Sequence, residues 1–293
     1  MLQRKWSGYA ILLVVTLIWG TTFTVTKSSL DYVPPLYFLA WRFSLAAAGL
    51  ALLNWRRLGT INRDELAGGL VVGSSTAVGY IAQTAGLVYS TAAKAGFITG
   101  LAVVLVPVLG AIFYRRRPPF SVYIAAFLAA IGLALLSLDF SADIIFNRGD
   151  LLLLICALAF AVNILNLGKY SPRCRVLMLT MVQVAFTAAA CWVATLILEE
   201  PVSFTAQVWV SLVYLAIVAT IFTIAGQTWG QRTVSPEGAA LIFALEPVFA
   251  ATFAMAFLGE RLPPAGLAGS LLIMIGIIGA ELASRKGKQP GMV

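Results

Sequence analysis

The chain has 293 residues, of which 60% are hydrophobic and 11% are charged, and it contains no histidine. Its mean hydropathy of +0.93 excludes a water-soluble domain for most of the chain. Without histidine the chain lacks the most common general base and metal ligand. The three cysteines fit no metal-site spacing, and no phosphate-binding glycine loop is present. We therefore expect a membrane protein that uses no metal, no cofactor and no ATP.

Apolar segments of about 20 residues recur along the whole chain, and each is long enough to cross a hydrocarbon core of about 30 Å as a helix. The connections between them are short, so no soluble domain is expected on either face. The sequence thus predicts an all-α membrane protein with ten transmembrane helices. The predicted spans are 8–28, 35–55, 66–88, 92–114, 119–138, 149–168, 175–198, 206–229, 236–258 and 263–283.

The second half of the sequence repeats the first half. Gln83-Thr84 aligns with Gln227-Thr228 at an offset of 144 residues, and Trp19-Gly20 aligns with Phe160-Ala161 at an offset of 141. Each half has five predicted spans, and because five is an odd number the second half must insert upside down. Inverted-topology repeats of this kind are typical of secondary transporters with a site near the bilayer midplane. The predicted repeats are residues 1–140 (helices 1–5) and 141–293 (helices 6–10).

Lysine and arginine are distributed unevenly between the two sides of the predicted membrane. Of the 20 such residues, fifteen fall on the side of the N-terminus. This bias sets topology, so both termini are predicted to be cytoplasmic, and the net charge of +8 indicates attraction to anionic lipid and not to nucleic acid. The outer residues are Lys27, Lys94, Arg148 and Arg261. The inner residues are Arg4, Lys5, Arg56, Arg57, Arg63, Arg115, Arg116, Arg117, Lys169, Arg173, Arg175, Arg232, Arg285, Lys286 and Lys288.

Two charged residues lie inside predicted spans: Arg42 in the second and Glu246 near the middle of the ninth. A charge at the centre of a span costs about 3 kcal/mol even on a lenient insertion scale. One interpretation is structural, with Arg42 and Glu246 forming a pair or Arg42 reaching the outer interface. The other makes Glu246 a proton carrier or the partner of a cationic substrate group. Arg42 is accordingly predicted to be a structural or gating residue.

Uncharged polar and aromatic residues recur at helical spacing in several spans. Tyr80 and Gln83 share one helix face, as do Trp19 and Phe23. Such residues often form helix–helix hydrogen bonds or pack as ordinary aromatics. Together they also provide the chemistry to hold a small zwitterionic or polar molecule in one central cavity. The predicted substrate-binding residues are Trp19, Phe23, Tyr80, Gln83, Asn163 and Gln227.

Pro107 and Pro247 lie inside the fourth and ninth spans, which are equivalent in the two repeats. Each proline removes a backbone donor and leaves the carbonyl four residues earlier, that of Val103 or Phe243, without its partner. They are either ordinary kinks in packed helices or gating points that face the substrate. The two prolines are one helical turn out of register between the repeats.

Several motifs resemble those of EamA-type carriers in the drug/metabolite transporter superfamily. Trp19-Gly20-Thr21-Thr22-Phe23 is similar to the family's first-helix signature, and Ala95–Leu101 resembles its fourth helix. Ala240–Phe249, which contains Leu245-Glu246-Pro247, and the following Gly259-Glu260-Arg261-Leu262 resemble the second repeat. The first repeat departs from the pattern at Arg115-Arg116-Arg117, where Gly-Glu-Arg is usual, and it has no Glu before its proline.

This resemblance covers essentially the whole chain and implies a ten-helix carrier in the inner membrane of a bacterium. Such carriers usually export amino acids or similar small metabolites, often by proton exchange. The expected partners are a small-molecule substrate, protons and the lipid bilayer, and a monomer is compatible with the sequence. An importer of a larger metabolite, such as a nucleotide sugar or cofactor, is the alternative. A membrane-embedded enzyme or a channel is disfavoured because no nucleophile–base pair or metal cluster is evident.

Overall fold

The computed structural model of the protein describes residues 2–115, 118–138, 146–258 and 264–286. Each of the ten predicted spans is helical in the described parts, as the sequence predicts. The helices are α1a (Leu2–Trp19), α1b (Thr22–Leu30), α2 (Pro35–Asn54), α3 (Arg63–Val88), α4a (Ala92–Gly100), α4b (Ala102–Phe113), α5 (Phe120–Ser137), α6 (Arg148–Tyr170), α7 (Val176–Leu198), α8a (Ala206–Ala216), α8b (Thr223–Gly230), α9a (Pro236–Phe243), α9b (Glu246–Leu258) and α10 (Pro264–Lys286). Arg116, Arg117, Lys288, the segment Gly259-Glu260-Arg261-Leu262 and the predicted boundary at 140/141 lie outside the described residues.

Eight of the described helices are long and apolar enough to cross a membrane when two consecutive half-helices are counted as one. Residues Pro264–Ala280 of α10 form a shorter apolar helix. α3 is long enough but less apolar, since glycine, serine, threonine and glutamine residues interrupt its apolar side chains. This polar character has a structural reason, because α3 contributes Thr76, Tyr80 and Gln83 to the wall of a central cavity.

Acidic residues in the first turns of two helices connect the two repeats at opposite ends of the bundle. Glu65 forms a reciprocal capping box with Asn62 at the start of α3, and its carboxylate accepts from Arg175 Nε at 2.6 Å. At the other end, Asp150 in the first turn of α6 accepts from Lys94 Nζ at 2.7 Å. Each carboxylate therefore stabilises its own helix terminus and also bonds a residue of the other repeat.

Helix packing follows the internal repeat, as the pair α5 and α10 shows. A Cβ added at Gly132 would lie 2.5 Å from the carbonyl oxygen of Gly269, and one at Gly276 would lie 2.9 Å from that of Ala125. Adding 144 converts positions 125 and 132 into 269 and 276, so the two contacts are the same contact seen from each repeat. The fold is thus an all-α membrane bundle of two five-helix inverted repeats related by a pseudo-two-fold axis.

Candidate functional site

Three helices are interrupted near the middle of the bundle. α1 breaks at Gly20-Thr21, α4 at Leu101 and α9 between Phe243 and Glu246. Gly20 allows a close crossing, since a Cβ there would lie 3.0 Å from Phe249 Cβ and 3.2 Å from the carbonyl oxygen of Glu246. Each interruption breaks the regular pattern of helical hydrogen bonds, which membrane proteins tolerate where a break borders a cavity.

The two predicted prolines have different positions relative to these breaks. Pro247 is the second residue of α9b, where its missing N–H costs no intrahelical bond. Pro107 lies inside α4b, six residues after the break at Leu101, and so does not form that break. The breaks themselves are equivalent, because Leu101 and Leu245 are 144 residues apart. Neither proline is part of the cavity wall, and a gating role for them stays a prediction.

The helix breaks border a central cavity whose volume, measured for the centres of water-sized molecules, is about 80 Å³. One water molecule needs about 10–15 Å³, so the cavity has room for several waters or one small organic group. Five of the six predicted binding residues line it, together with Glu246, and their contact with substrate stays a prediction. The wall consists of Trp19, Thr22, Thr76, Tyr80, Gln83, Thr99, Gly100, Ala102, Val103, Phe160, Asn163, Ile164, Gln183, Ile224, Gln227, Ala240, Phe243, Ala244 and Glu246.

The cavity lies on the pseudo-two-fold axis. Seven pairs of lining residues are related by the repeat offsets of 141 or 144, which accounts for fourteen of the wall residues. These pairs are Trp19/Phe160, Thr22/Asn163, Tyr80/Ile224, Gln83/Gln227, Thr99/Phe243, Gly100/Ala244 and Ala102/Glu246. The wall is therefore symmetric in position but not in chemistry, because the carboxylate of Glu246 has only the methyl group of Ala102 as its counterpart.

Phe23 was expected to share the cavity face of Trp19, and this expectation is corrected by the structure. On an unbroken helix, residues four apart lie on one face. The interruption at Gly20-Thr21 separates the two residues, so Phe23 lies outside the wall. It packs in a buried cluster with Leu87 and Leu153.

A buried network of amides and hydroxyls forms part of the wall. Asn163 Nδ2 and Gln183 Nε2 each donate to Thr76 Oγ1 at 2.8 Å. Gln227 Nε2 donates to Asn163 Oδ1 at 3.4 Å and to Gln231 Oε1 at 3.2 Å. Through these bonds α3, α6, α7 and α8b are connected across the two repeats. The sequence reasoning did not identify Gln183, although the offset of 141 makes it the counterpart of Arg42.

Arg42 is buried and bonds to a π-helical turn at Ile217–Phe222, between α8a and α8b. Its Nε donates to Thr220 Oγ1 at 2.9 Å and its Nη2 to the carbonyl oxygen of Ala219 at 3.0 Å. In a regular helix the Thr223 N–H would bond to the Ala219 carbonyl, but here it donates to the Thr220 carbonyl. Arg42 thus supplies a donor to a carbonyl in the irregular turn, which is the contact expected of a structural residue.

Arg42 also contacts aromatic rings and not the cavity carboxylate. Its Cζ lies 5.1 Å from the ring centroid of Tyr80 and 5.7 Å from that of Phe43, within cation–π range. Tyr80 lines the cavity, whereas Arg42 is not among the lining residues. The ion pairs Lys94–Asp150 and Arg175–Glu65 involve neither Arg42 nor Glu246.

A second, larger groove lies on the opposite side of α9a. Its volume on the same measure is about 640 Å³, and it is lined mainly by apolar residues of α1a, α5, α9a and α10, including Leu241, Ile242 and Leu245. Ala240, Phe243 and Ala244 face the central cavity instead. A single half-helix of eight residues therefore separates the groove from the cavity.

Comparison with known proteins gives consistent results. The model of a family described as the EamA-like transporter family matches residues 6–138 and again 147–281. An "Uncharacterized transporter" of Archaeoglobus fulgidus is 34% identical over 271 residues, covering 91% of this chain and 83% of the relative. A "Probable amino-acid metabolite efflux pump" of Salmonella typhimurium is 30% identical, covering 94% of each chain. A crystal structure with 19% identity covers 95% of this chain and 99% of its own at a TM-score of 0.79, which shows a shared fold.

Proposed function

Because the chain belongs to the EamA-like transporter family, whose members are membrane transporters, we propose that it is a secondary exporter of amino acids or similar small metabolites. Alternating access around the central cavity would carry the substrate, and exchange against protons would supply the energy. The observation that carries this proposal is a cavity on the pseudo-two-fold axis in which Glu246 is the one carboxylate among the described lining residues. A relative with 30% identity that is named for amino-acid metabolite efflux supports the substrate class.

Cavity size supports a small substrate. Pockets for drug-sized ligands usually measure about 300–1,000 Å³, whereas this cavity measures about 80 Å³. A nucleotide sugar would require a much larger expansion of the wall than an amino acid would. The size therefore favours a small metabolite over a larger one as the substrate.

We place the protein in the cytoplasmic membrane of a bacterium with both termini in the cytoplasm. The support is the distribution of lysine and arginine, because fifteen of 20 fall on one side of the ten spans. In this orientation Glu65 and Arg175 lie at the cytoplasmic face, and Lys94 and Asp150 lie at the outer face.

Glu246 is the residue we assign to proton coupling. Glu246→Gln keeps the side-chain size and hydrogen-bonding capacity but cannot release a proton. In proteoliposomes the variant should lose uphill amino-acid transport driven by a pH gradient while retaining counterflow of labelled against unlabelled amino acid. The matched control is Glu200→Gln, because Glu200 is exposed at the end of α7 and lies outside the cavity wall.

Three outcomes would contradict parts of this assignment. Full pH-driven transport by Glu246→Gln would reject Glu246 as the coupling residue. Loss of folding together with activity would favour a structural role for it. Passage of label without exchange in the wild type would indicate a channel, because only a carrier shows counterflow.

A further inference from the structure

Gln183 has a buried acceptor that no protein group uses. The residue lies on α7, is 1% exposed and lines the central cavity. Its Nε2 donates to Thr76 Oγ1 at 2.8 Å, but its Oε1 is buried without a hydrogen-bond partner. A buried carbonyl without a donor is unfavourable, and because Gln183 lines the cavity, its unpaired oxygen points to a ligand that donates to it.

The bonds of Thr76 fix the orientation of this amide. Thr76 Oγ1 donates its only proton to the carbonyl oxygen of Val72 at 2.8 Å. A hydroxyl has one donor and two acceptor positions, and Asn163 Nδ2 and Gln183 Nε2 fill both acceptor positions. While the Thr76 proton is directed to the Val72 carbonyl, a reversed Gln183 amide would bring two acceptor oxygens together. In this arrangement Gln183 Oε1 has no donor and can accept a hydrogen bond.

The internal repeat shows which part of the Gln183–Thr76 interaction occurs in both halves of the chain. The offsets of 141 and 144 convert Arg42 and Thr220 into Gln183 and Thr76. Both pairs form the same side-chain hydrogen bond, since Arg42 Nε donates to Thr220 Oγ1 at 2.9 Å as Gln183 Nε2 donates to Thr76 Oγ1. Arginine has donors only. The hydrogen bond that both halves share therefore does not require an acceptor on the residue at position 42 or 183. The carbonyl of Gln183 is thus an addition to the repeated architecture.

Other groups in the wall indicate what the donor is. Glu246 is the single charged residue among the described lining residues, and the wall also contains Trp19, Tyr80, Phe160 and Phe243. A carboxylate, a carbonyl and the faces of aromatic rings all favour a positively charged ammonium group. The guanidinium of Arg42 donates to Thr220 and Ala219 and is not among the residues that line the cavity.

We propose that Gln183 determines substrate specificity by accepting a hydrogen bond from a primary ammonium group of the substrate. This inference rests on the proposed function, because it assigns a subsite within the same cavity. It requires ligands that keep the ammonium group to bind more tightly than ligands of the same shape that lack it.

Matched ligands on one carbon skeleton test this requirement. L-Leucine and L-phenylalanine have the ammonium and carboxylate groups. 3-Methylbutylamine and 2-phenylethylamine keep only the ammonium, and 4-methylpentanoate and 3-phenylpropanoate keep only the carboxylate. Thermal stabilisation of the purified protein reports binding. We expect the amino acids and amines to stabilise the wild type at concentrations at least tenfold lower than the acids.

Two variants and a control isolate the acceptor. Gln183→Met preserves length but removes donor and acceptor, and should weaken amine binding about tenfold or more. Gln183→Glu keeps an acceptor and loses the donor to Thr76, so amine binding should persist even where stability falls. Asn54→Leu also removes a buried amide, one that donates to the Leu50 carbonyl of its own helix and lies outside the cavity wall, and it should leave the preference for amines unchanged.

The possible results separate this inference from the proposed function. Equal binding of acids and amines, or an undiminished preference in Gln183→Met, overturns the ammonium subsite while amino-acid counterflow can still stand. Amine binding that depends on Gln183, without amino-acid counterflow, supports the subsite and rejects the amino-acid function. Absence of stabilisation by every probe overturns both.

Discussion

The hydrogen bond from Arg42 on α2 to Thr220 in the turn between α8a and α8b predicts that Thr220→Val lowers the thermal stability of the protein. Thr220 is fully buried, accepts from Arg42 Nε at 2.9 Å and donates to the carbonyl oxygen of Leu215 at 2.7 Å. Valine has nearly the same shape but leaves the guanidinium N–H without its acceptor. A hydrogen bond to a charged group contributes about 1.5–3 kcal/mol. At about 2–4 °C per kcal/mol for larger domains, we expect the melting midpoint to fall by about 3–12 °C.

The protein's own cysteines provide the assay. Cys156, Cys174 and Cys191 are free and buried, so a dye that fluoresces on reaction with thiols reports unfolding in detergent. Thr252→Val is the matched control, because Thr252 is exposed and its hydroxyl donates only to the Val248 carbonyl of its own helix, at 2.8 Å. A midpoint for Thr220→Val within 1 °C of this control would refute the argument that the Arg42–Thr220 bond stabilises the fold.

Two further predictions concern packing and orientation. Gly132→Ala should lower the melting midpoint, because the added Cβ would lie 2.5 Å from the Gly269 carbonyl oxygen and overpacking costs about 1–3 kcal/mol. Gly279→Ala, which meets nothing within 4 Å, should be neutral or stabilising, and equal effects at both sites would contradict the packing argument. A cysteine at the exposed Tyr32 should react with an impermeant thiol reagent added to intact cells, whereas one at Leu58 should not. If only the cysteine at position 58 were labelled, the predicted orientation would be wrong and the termini would lie outside.

The sequence predicted the fold well because two strong physical constraints act on every span. Hydrocarbon thickness sets the length of each helix, and the internal repeat relates one half of the chain to the other. α2 was predicted at 35–55 and is found at Pro35–Asn54, and α7 was predicted at 175–198 and is found at Val176–Leu198. Hydropathy does not register an interruption inside a span, so the breaks at Leu101 and before Glu246 were not predicted as such.

The positions of site residues were predictable wherever the helix stayed regular. Tyr80 and Gln83 share a face of the unbroken α3, and both line the cavity. Phe23 does not, because the break at Gly20-Thr21 ends the helical spacing on which the prediction depended. Gln183 was missed because a single glutamine in an apolar span does not reveal which of its atoms are bonded. The signal that could have identified it was its alignment with Arg42.

The paired positions of the two repeats have a consequence for the proposed transport cycle, in which the cavity opens alternately to the inside and to the outside. If the two repeats were identical, the inward-open and outward-open arrangements would be related by the pseudo-two-fold axis and would have equal free energies. Their equilibrium constant therefore depends only on positions where the partners differ, such as Ala102 and Glu246 or Arg42 and Gln183. A difference of about 1.4 kcal/mol summed over such pairs already gives a tenfold preference for one state. Substitutions that make paired residues alike should shift that constant towards one, independently of any effect on substrate affinity.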